Sequence, residues 1–226
     1  FLNILELSKL HNVKKVIYAS SSSIYGRNDS PFQENTNTDK QIQFYAVTKK
    51  TNELMAHSWS SLYGIQTIGL RFFTVYGPWG RPDMALYKFV DNICNDKTIE
   101  LFNNGDHVRD FTYVDDIING ISSSIKFNFK DYLNKDLKTT KKVPSIVVNL
   151  GSGRNTTLMN FVKVIEKNLN KKAKVKYLPM QKGDIHSSLA DLALAKKLFN
   201  YRPKTMPEEG IKKFINWYKN YNKIKV

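Results

Sequence analysis

Apolar positions recur along this chain with two alternating periods. Leu2, Leu5, Leu7 and Leu10 fall at helical spacing within residues 1–11. The run VKKVIYA, 13–19, is short, apolar and β-branched, which predicts a buried strand. A polar stretch with Gly26, Asn28, Asp29 and Pro31 predicts a loop over 20–43. Residues 44–63 form a long amphipathic pattern that stops at Gly64, the residue type that most easily closes a helix. A second strand is expected over 65–73, followed by a loop through Pro78 and Pro82. Helix over 83–96, strand over 98–102 and helix over 114–127 come next. The acidic pair Asp115 and Asp116 suits the amino-terminal end of the last of these. Beyond it the pattern predicts a strand at 145–150, a helix at 156–170, a strand at 174–178 and helices at 188–198 and 208–221. Thr205 and Glu208 have the spacing of a capping box ahead of the final helix. Residues 130–143 are charged and read as a surface insertion, Gly151-Ser152-Gly153 as a turn, and no segment repeats.

Strands alternating with helices imply an α/β fold with a doubly wound parallel sheet. Beyond about residue 81 the strands shorten and the loops lengthen, so a smaller second lobe is expected, with a cleft between the two. Ligands of open α/β sheets bind beyond the carboxyl ends of the strands. The loops after Ala19 and Phe73 therefore become the places to look for chemistry.

Composition narrows the class. The chain has 226 residues, 41% hydrophobic and 12% aromatic, enough to bury a core without disulfide or metal. One cysteine, Cys94, and four dispersed histidines give no metal-binding set. No apolar run reaches the ~18 residues that span a bilayer, and no signal peptide is visible, so a cytoplasmic protein is expected. The charge, 35 − 20 = +15, raises polyanions as partners. The lysines occur singly along the chain, however, and read as a solvated surface with a basic tail at 212–225. The chain opens inside a helical pattern with no cap before it, which reads as a protein missing its beginning.

Tyr45 and Lys49 share one helical face, being four residues apart. An ammonium beside a phenol favours the phenolate, by ~1–3 pKa units, and a phenol so tuned can act as a general base. The pair alone is a weak signal, since Tyr221 and Lys225 have the same spacing. Its context strengthens it: the strand VKKVIYA runs directly into Ser20, Ser21, Ser22 and Ser23, hydroxyls that a helix carrying Tyr45 can face.

These residues resemble the extended short-chain dehydrogenase/reductase family, in its NAD-dependent epimerase/dehydratase branch. The resemblance rests on ASSSSIYG (19–26), YAVTK (45–49), RFFTVYGPWGRPDMA (71–85), RDFTYVDD (109–116) and QKGD (181–184), in the family's order. The run TVYGPWGRPDMA is most like the branch that epimerises UDP-glucuronate. The family opens with a glycine-rich turn for the dinucleotide phosphates, which this sequence does not contain. The resemblance thus implies a Rossmann-like sheet lacking its first βα units. Residues 1–80 would belong to the NAD-binding domain and 81–226 to a nucleotide-sugar lobe, with about 107–126 and 145–151 returning to the main domain.

The activity so implied is NAD-dependent inversion at C4 of a UDP-sugar, UDP-glucuronate to UDP-galacturonate, through a transient 4-keto sugar. Tyr45 would be the base, Lys49 would lower its pKa and hold the nicotinamide ribose, and Ser21, or next Ser22, would bind the sugar O4. Ser20 and Phe72 would border the cofactor. Arg109 would clamp the diphosphate and Phe102 lie against uracil. Asp184 and Gln181 would approach the ribose and diphosphate, and Arg81 would reach the UDP moiety. Thr74, where galactose-type epimerases usually carry Asn, would join Ser22 and Ser23 as neutral donors to the carboxylate. Other readings stand beside these: Arg109 paired with Asp110 or Asp116, Phe102 in the core, Asp184 capping the turn after Gly183. A homodimer through helices 1–11 and 44–63 is implied, with Leu54, Trp59 and Leu62 either as an apolar seam or packed on the sheet.

Rival activities divide by residue type. The 4,6-dehydratases use an Asp-Glu pair where this chain has Ser22 and Ser23, and decarboxylating relatives place a charged base that these loops lack. UDP-glucose 4-epimerisation is the nearest alternative. A non-catalytic relative that binds nucleic acid is a further reading, carried by Lys213, Trp217, Tyr218, Lys219 and Tyr221 in the tail. The Tyr45, Lys49 and Ser21 set argues for the enzyme.

Overall fold

Side chains of a strand alternate between its two faces, and the first strand of this chain uses both. Val16, Tyr18 and Ser20 are buried, while Ile17, Ala19 and Ser21 are not. In the computed structural model, which describes residues 1–130, 132 and 143–224, the elements follow in alternation. They are α1 (Leu2–Leu10), β1 (Lys15–Ser21), α2 (Phe44–Tyr63), β2 (Gln66–Phe72), β3 (Thr74–Tyr76), α3 (Ala85–Cys94), β4 (Thr98–Leu101), β5 (Val108–Arg109) and β6 (Phe111–Tyr113). Then come α4 (Val114–Lys126), β7 (Ser145–Leu150), β8 (Thr156–Thr157), α5 (Leu158–Leu169), β9 (Lys174–Tyr177), β10 (Ser187–Ser188), α6 (Ala193–Phe199) and α7 (Pro207–Tyr221). Single 3-10 turns follow β1 at Ser22–Tyr25 and β4 at Phe102–Gly105.

The chain forms two units. The first comprises Phe1–Phe73, Ile118–Leu150 and Asp191–Arg202. Its sheet is parallel, in the order β1-β2-β7, with Ser21 opposite Phe72 and Phe72 opposite Leu150 at the carboxyl end. The middle strand β2 is buried from Thr67 to Arg71, as expected of a parallel strand covered on both faces. Gly69 lies opposite Tyr18, where an added Cβ would come within 2.7 Å of the phenol oxygen. Helix α2 turns Ala46, Glu53, Ala56 and Ser60 inward, and the small residues among them let it lie close to the sheet. It ends at Gly64, which takes the left-handed φ of 69°. Leu5 of α1 packs with Val16 and Ile65, and Met55 and Trp59 close the cluster.

The second unit comprises Thr74–Ile117, Gly151–Ala190 and Pro203–Val226. Here the strands are short: β3 pairs with β6, β4 with β9, and β5 lies between β8 and β10. The core is aromatic. Phe161 of α5 stacks on Phe111 at 4.0 Å and meets Tyr76 edge-on at 5.5 Å, geometries that aromatic pairs favour. A side chain at Gly210 would run into the Tyr76 ring, so α7 lies directly upon it.

Several expectations are corrected. The first unit ends at Phe73 rather than residue 80, because Thr74–Tyr76 pairs with Phe111–Tyr113 in the second. The segment returning to the first unit begins at Ile118 rather than 107, and Asp191–Arg202 belongs there too. The helix expected at 188–198 covers only Ala193–Phe199: Ser188 instead pairs with Arg109, and Asp191 Oδ1 accepts the Ala193 N–H at 2.7 Å. Helix α5 starts two residues late, since Thr157 is its cap. The capping box at Thr205 does not form: Pro207 opens α7 after Met206, and the Thr205 N–H goes to Asp116 at 3.0 Å. Trp59 packs inward rather than joining a surface seam. In the tail, Tyr218 is buried and donates to Asp91 at 2.6 Å, and Trp217 packs on the core, so these rings serve the fold. The expected insertion at 130–143 lies largely outside the described residues. No described helix is long and apolar enough to cross a membrane.

Phe161 is wholly buried at the junction of these rings. Phe161→Ala is expected to destabilise the second unit by about 3–5 kcal/mol, the range for a large core truncation. Denaturant titration of the variant reads this directly, and a loss below about 1 kcal/mol contradicts the packing described.

Candidate active site

Two adjacent serines part company at the end of β1. Ser20 points inward and donates to Glu53 Oε1 at 2.6 Å, so its hydroxyl is committed within the fold. Ser21 points to the other face, half-buried, and accepts the Ser23 N–H at 3.2 Å as cap of the 3-10 turn. Strand alternation explains the split. The sequence run of four serines does not reveal it without the register.

Glu53 is the centre of a buried network. Arg71 Nε and Nη2 donate to its two oxygens at 2.9 Å each, a bidentate pair with both side chains nearly inaccessible. Burial alone would pull the Arg71 pKa down, but the hydrogen bonds and charge of Glu53 outweigh it and lift it above its ordinary value. Arg71 Nη1 donates to the Tyr25 hydroxyl at 2.9 Å, which in turn donates to Asn149 Oδ1 at 2.7 Å. Burial pushes the Tyr25 phenol up to about 12 despite the guanidinium. The Asn149 N–H goes to Glu34 Oε1 at 2.8 Å, whose pKa is raised chiefly by burial. The loop after β1 is thus fastened to all three strands of the first sheet.

Helix α2 meets the same strand end. Lys49 Nζ donates to the Ala19 carbonyl at 3.0 Å and lies 5.6 Å from the centroid of the Tyr45 ring. The ammonium ties the first turns of α2 to the carboxyl end of β1, where Ser21 and Phe72 stand in register. Tyr45 is half-exposed, its phenol open to a ligand. Phe72 is partly covered, and Ser23 Oγ is buried with no partner among the described residues.

The second unit carries a cluster of charged side chains around Arg109. Arg109 Nη2 donates to Asp184 Oδ1 at 2.9 Å, and its Nη1 to the carbonyls of His186 at 2.9 Å and Val108 at 3.1 Å. Burial lowers the Arg109 pKa, which Asp184 partly restores. The guanidinium therefore pairs neither with Asp110 nor with Asp116. Asp110 is fully buried and accepts from the N–H groups of Ser152, Gly153 and Ala190 at 2.6, 2.9 and 3.1 Å. Asp116 takes those of Lys204 and Thr205. Asp184 also accepts the Ile185 N–H at 2.8 Å, so the turn-capping reading holds alongside the ion pair. His107, which carried no sequence signal, sits buried with Nε2 3.3 Å from Asp184 Oδ2, close but not aligned for a hydrogen bond.

The remaining expected residues spread over the second unit. Phe102 is partly exposed at the 3-10 turn after β4 and lies outside the core cluster. Gln181 is exposed, its carbonyl accepting the Asp184 N–H. Thr74 opens β3 opposite Phe111. Arg81 is exposed and pairs with Asp83 within its own loop, holding that carboxyl below its usual range.

Comparison with known proteins follows this geometry. The family profile described as the NAD dependent epimerase/dehydratase family matches residues 1–133, more than half the chain. The chain belongs to that family. This family member is 50% identical to the uncharacterized protein MJ1055 of Methanocaldococcus jannaschii, over 96% of this chain and 63% of that one. It is 40% identical to the UDP-glucuronate 4-epimerase of Thermodesulfobacterium geofontis, over 96% of this chain and again 63% of the relative. Among solved structures, the UDP-glucuronic acid 4-epimerase of Bacillus cereus, in complex with UDP-glucuronic acid and NAD, superposes with a TM-score of 0.86 at 29% identity. That match covers 97% of this chain and 66% of the other. The chain thus spans a little under two thirds of the length of these relatives.

For this epimerase/dehydratase-family chain the strand end suits the nicotinamide and ribose end of NAD. The Lys49 ammonium reaches the carboxyl end of β1 with the Tyr45 ring 5.6 Å away, and Ser23, in the turn that follows β1, has a buried hydroxyl with no partner among the described residues. An orphaned buried hydroxyl is costly unless some group completes it.

Glu53→Ala leaves the Arg71 charge buried without its partner. A loss of about 3–5 kcal/mol of stability is expected, whereas an exposed pair such as Lys172 with Glu166 gives under about 1 kcal/mol. Paired melting curves of Glu53→Ala and Lys172→Ala test the contrast, and equal shifts refute it.

Proposed function

We propose that the protein containing this chain inverts C4 of a UDP-sugar, UDP-glucuronate to UDP-galacturonate. The single observation that carries this reading is the meeting of the Tyr45–Lys49 face of α2 with the Ser21 end of β1, through the Lys49 bond to Ala19. NAD, when bound, accepts hydride from the sugar C4 and later returns it. Tyr45 removes the C4 hydroxyl proton and gives it back. Lys49 holds its ammonium 5.6 Å from the centroid of the Tyr45 ring and would also hold the nicotinamide ribose. Ser21 holds O4 by hydrogen bond.

Inversion requires the 4-keto sugar to turn over while its nucleotide stays in place, so binding energy remote from C4 must hold the intermediate. Arg109 is the group for the diphosphate, Phe102 for uracil, and Asp184, Gln181 and Arg81 for the ribose and its surroundings. A 4-keto uronate is a β-keto acid and loses carbon dioxide readily. Neutral donors, Ser22, Ser23 and Thr74, hold its carboxylate without a base that would help expel it. The uronate branch is further supported by the Thermodesulfobacterium and Bacillus relatives, named for that activity.

A homodimer is part of the proposal. Leu2, Ile4, Leu7 and Leu10 of α1 and Phe44, Val47, Leu54 and Leu62 of α2 are all more than 40% exposed. An apolar surface of this kind marks an interaction site. The doubly substituted Leu10→Lys, Leu62→Lys protein is expected to sediment as a monomer where the unaltered protein is a dimer; an unchanged sedimentation coefficient refutes that interface.

The reaction itself is tested on the protein expressed from its complete reading frame and loaded with NAD, given UDP-glucuronate and UDP-glucose separately. Conversion of UDP-glucuronate, followed by the anomeric proton signals, is the expected result; turnover of UDP-glucose alone removes the uronate assignment. Tyr45→Phe should lower kcat by about 10²–10⁴-fold, the range for loss of a general base, with UDP affinity unchanged.

A further inference from the structure

One buried titratable group has no task in the reading above. His107 lies beside Asp184 of the Arg109–Asp184 pair, 4% exposed, with Nε2 3.3 Å from Asp184 Oδ2 and no aligned partner for that nitrogen among the described residues. Its backbone is fixed, the carbonyl accepting the Leu158 N–H at 2.9 Å. The charged and titratable groups around it are Arg109 and Asp106 from its own segment, and Asp184 and His186 from the segment that leads into β10. Burial is the largest influence and holds the imidazole below its ordinary pKa. The Arg109 charge adds to this, Asp184 opposes it, and His186 and Asp106 contribute less, in opposite directions. Near neutrality the ring is therefore uncharged, and Arg109 and Asp184 balance each other.

A diphosphate diester adds two negative charges to this balanced cluster, and Arg109 must then serve two anions. We propose that His107 is a proton-linked part of the nucleotide-sugar site, taking a proton from solvent as the diphosphate binds and donating it through Nε2 to Asp184. The imidazolium replaces the share of positive charge that Asp184 loses when Arg109 turns to the ligand. This inference rests on the reading of Arg109 as the diphosphate clamp.

The sign of the pH effect follows. The complex holds the His107 proton more tightly than the free protein, so binding takes up a proton and affinity falls as pH rises between the two pKa values. Below both, and above both, affinity is flat. New negative charge within about 4–6 Å strengthens proton binding by roughly ten- to a thousandfold, and the affinity change across that window has the same upper bound. Half-exposed His186 already faces Asp106 at 3.3 Å on the surface, so solvent screens its response.

The test uses titration calorimetry of the 226-residue chain with UDP-glucose, which carries no group that titrates near neutrality. Measurements at pH 6, 7 and 8, each in two buffers of different ionisation enthalpy, read affinity and proton uptake together. Affinity is expected to fall about tenfold from pH 6 to 8, with buffer-dependent enthalpies at pH 7. His107→Asn should bind with the weaker, pH-independent affinity, and His186→Asn should keep the dependence. If His107→Asn does not fold, ring-proton NMR of the unaltered chain with and without UDP-glucose reads the same quantity. A His107 pKa that does not rise on binding overturns the inference. So does pH-independent binding with equal enthalpies, or a dependence that survives His107→Asn. Absence of any UDP-glucose binding is a distinct result, which overturns the nucleotide-sugar reading itself and the inference with it.

Discussion

A guanidinium taken out of water must find a carboxylate with fitting geometry, and Arg71 finds it on α2 rather than on its own sheet. That one requirement decides much of the first unit. Glu53 lies one turn beyond Lys49 on the same helical face, so the helix cannot slide along the sheet without breaking the bidentate pair. Ser20 donates to Glu53, Tyr25 accepts from Arg71, and Tyr25 passes its own proton to Asn149, each from a different stretch of chain. The half-exposed Tyr45 stands at one end of a helix held in place at its middle. Its apolar environment is minor; its position comes from buried charge.

The second unit solves the same problem with carboxylates and backbone. Its strands are too short to satisfy one another, β5 and β8 having two residues each. Asp110 and Asp116 supply acceptors for five N–H groups that no ladder reaches. Charged acceptors make stronger bonds than carbonyls, so two aspartates stand in for several missing strand pairings. Asp110 leaves Arg109 beside it without a carboxylate from its own strand, and the guanidinium turns to Asp184 instead.

Much of this was legible in the residues. Helix α2 and strand β7 match the periodic pattern residue for residue, because a long amphipathic stretch ending at glycine and an apolar β-branched run leave little choice. The alternation of strand and helix declared the α/β class. What escaped the pattern was set by distant partners. The Ser188–Leu192 stretch has helical residue types, but pairing with Arg109 and the Asp191 cap hold it out of the helix. Thr205 has the look of a cap and loses that role to a carboxylate 89 residues away. Among the candidate residues, the shared helical face of Tyr45 and Lys49 was legible through spacing, whereas the choice of Ser21 came from the resemblance. The inward turn of Ser20 needed the strand register, and His107 had no local signal at all.

The two halves of the proposed reaction ask for opposite mechanical properties, and the residues divide accordingly. Proton transfer needs a phenol held still while the sugar turns, and the Glu53–Arg71 anchor provides stillness without touching the reacting atoms. Nucleotide retention needs strong polar contacts that do not extend to the pyranose. A buried arginine is suited to this, since its desolvated fork gains more from a second anion than an exposed lysine does. Arg109 is partly buried and already oriented by two backbone carbonyls, so little order remains to be lost when a diphosphate arrives. Arg81 is exposed and pairs with Asp83 of its own loop. In that proposal the grip on the nucleotide would rest mainly with Arg109.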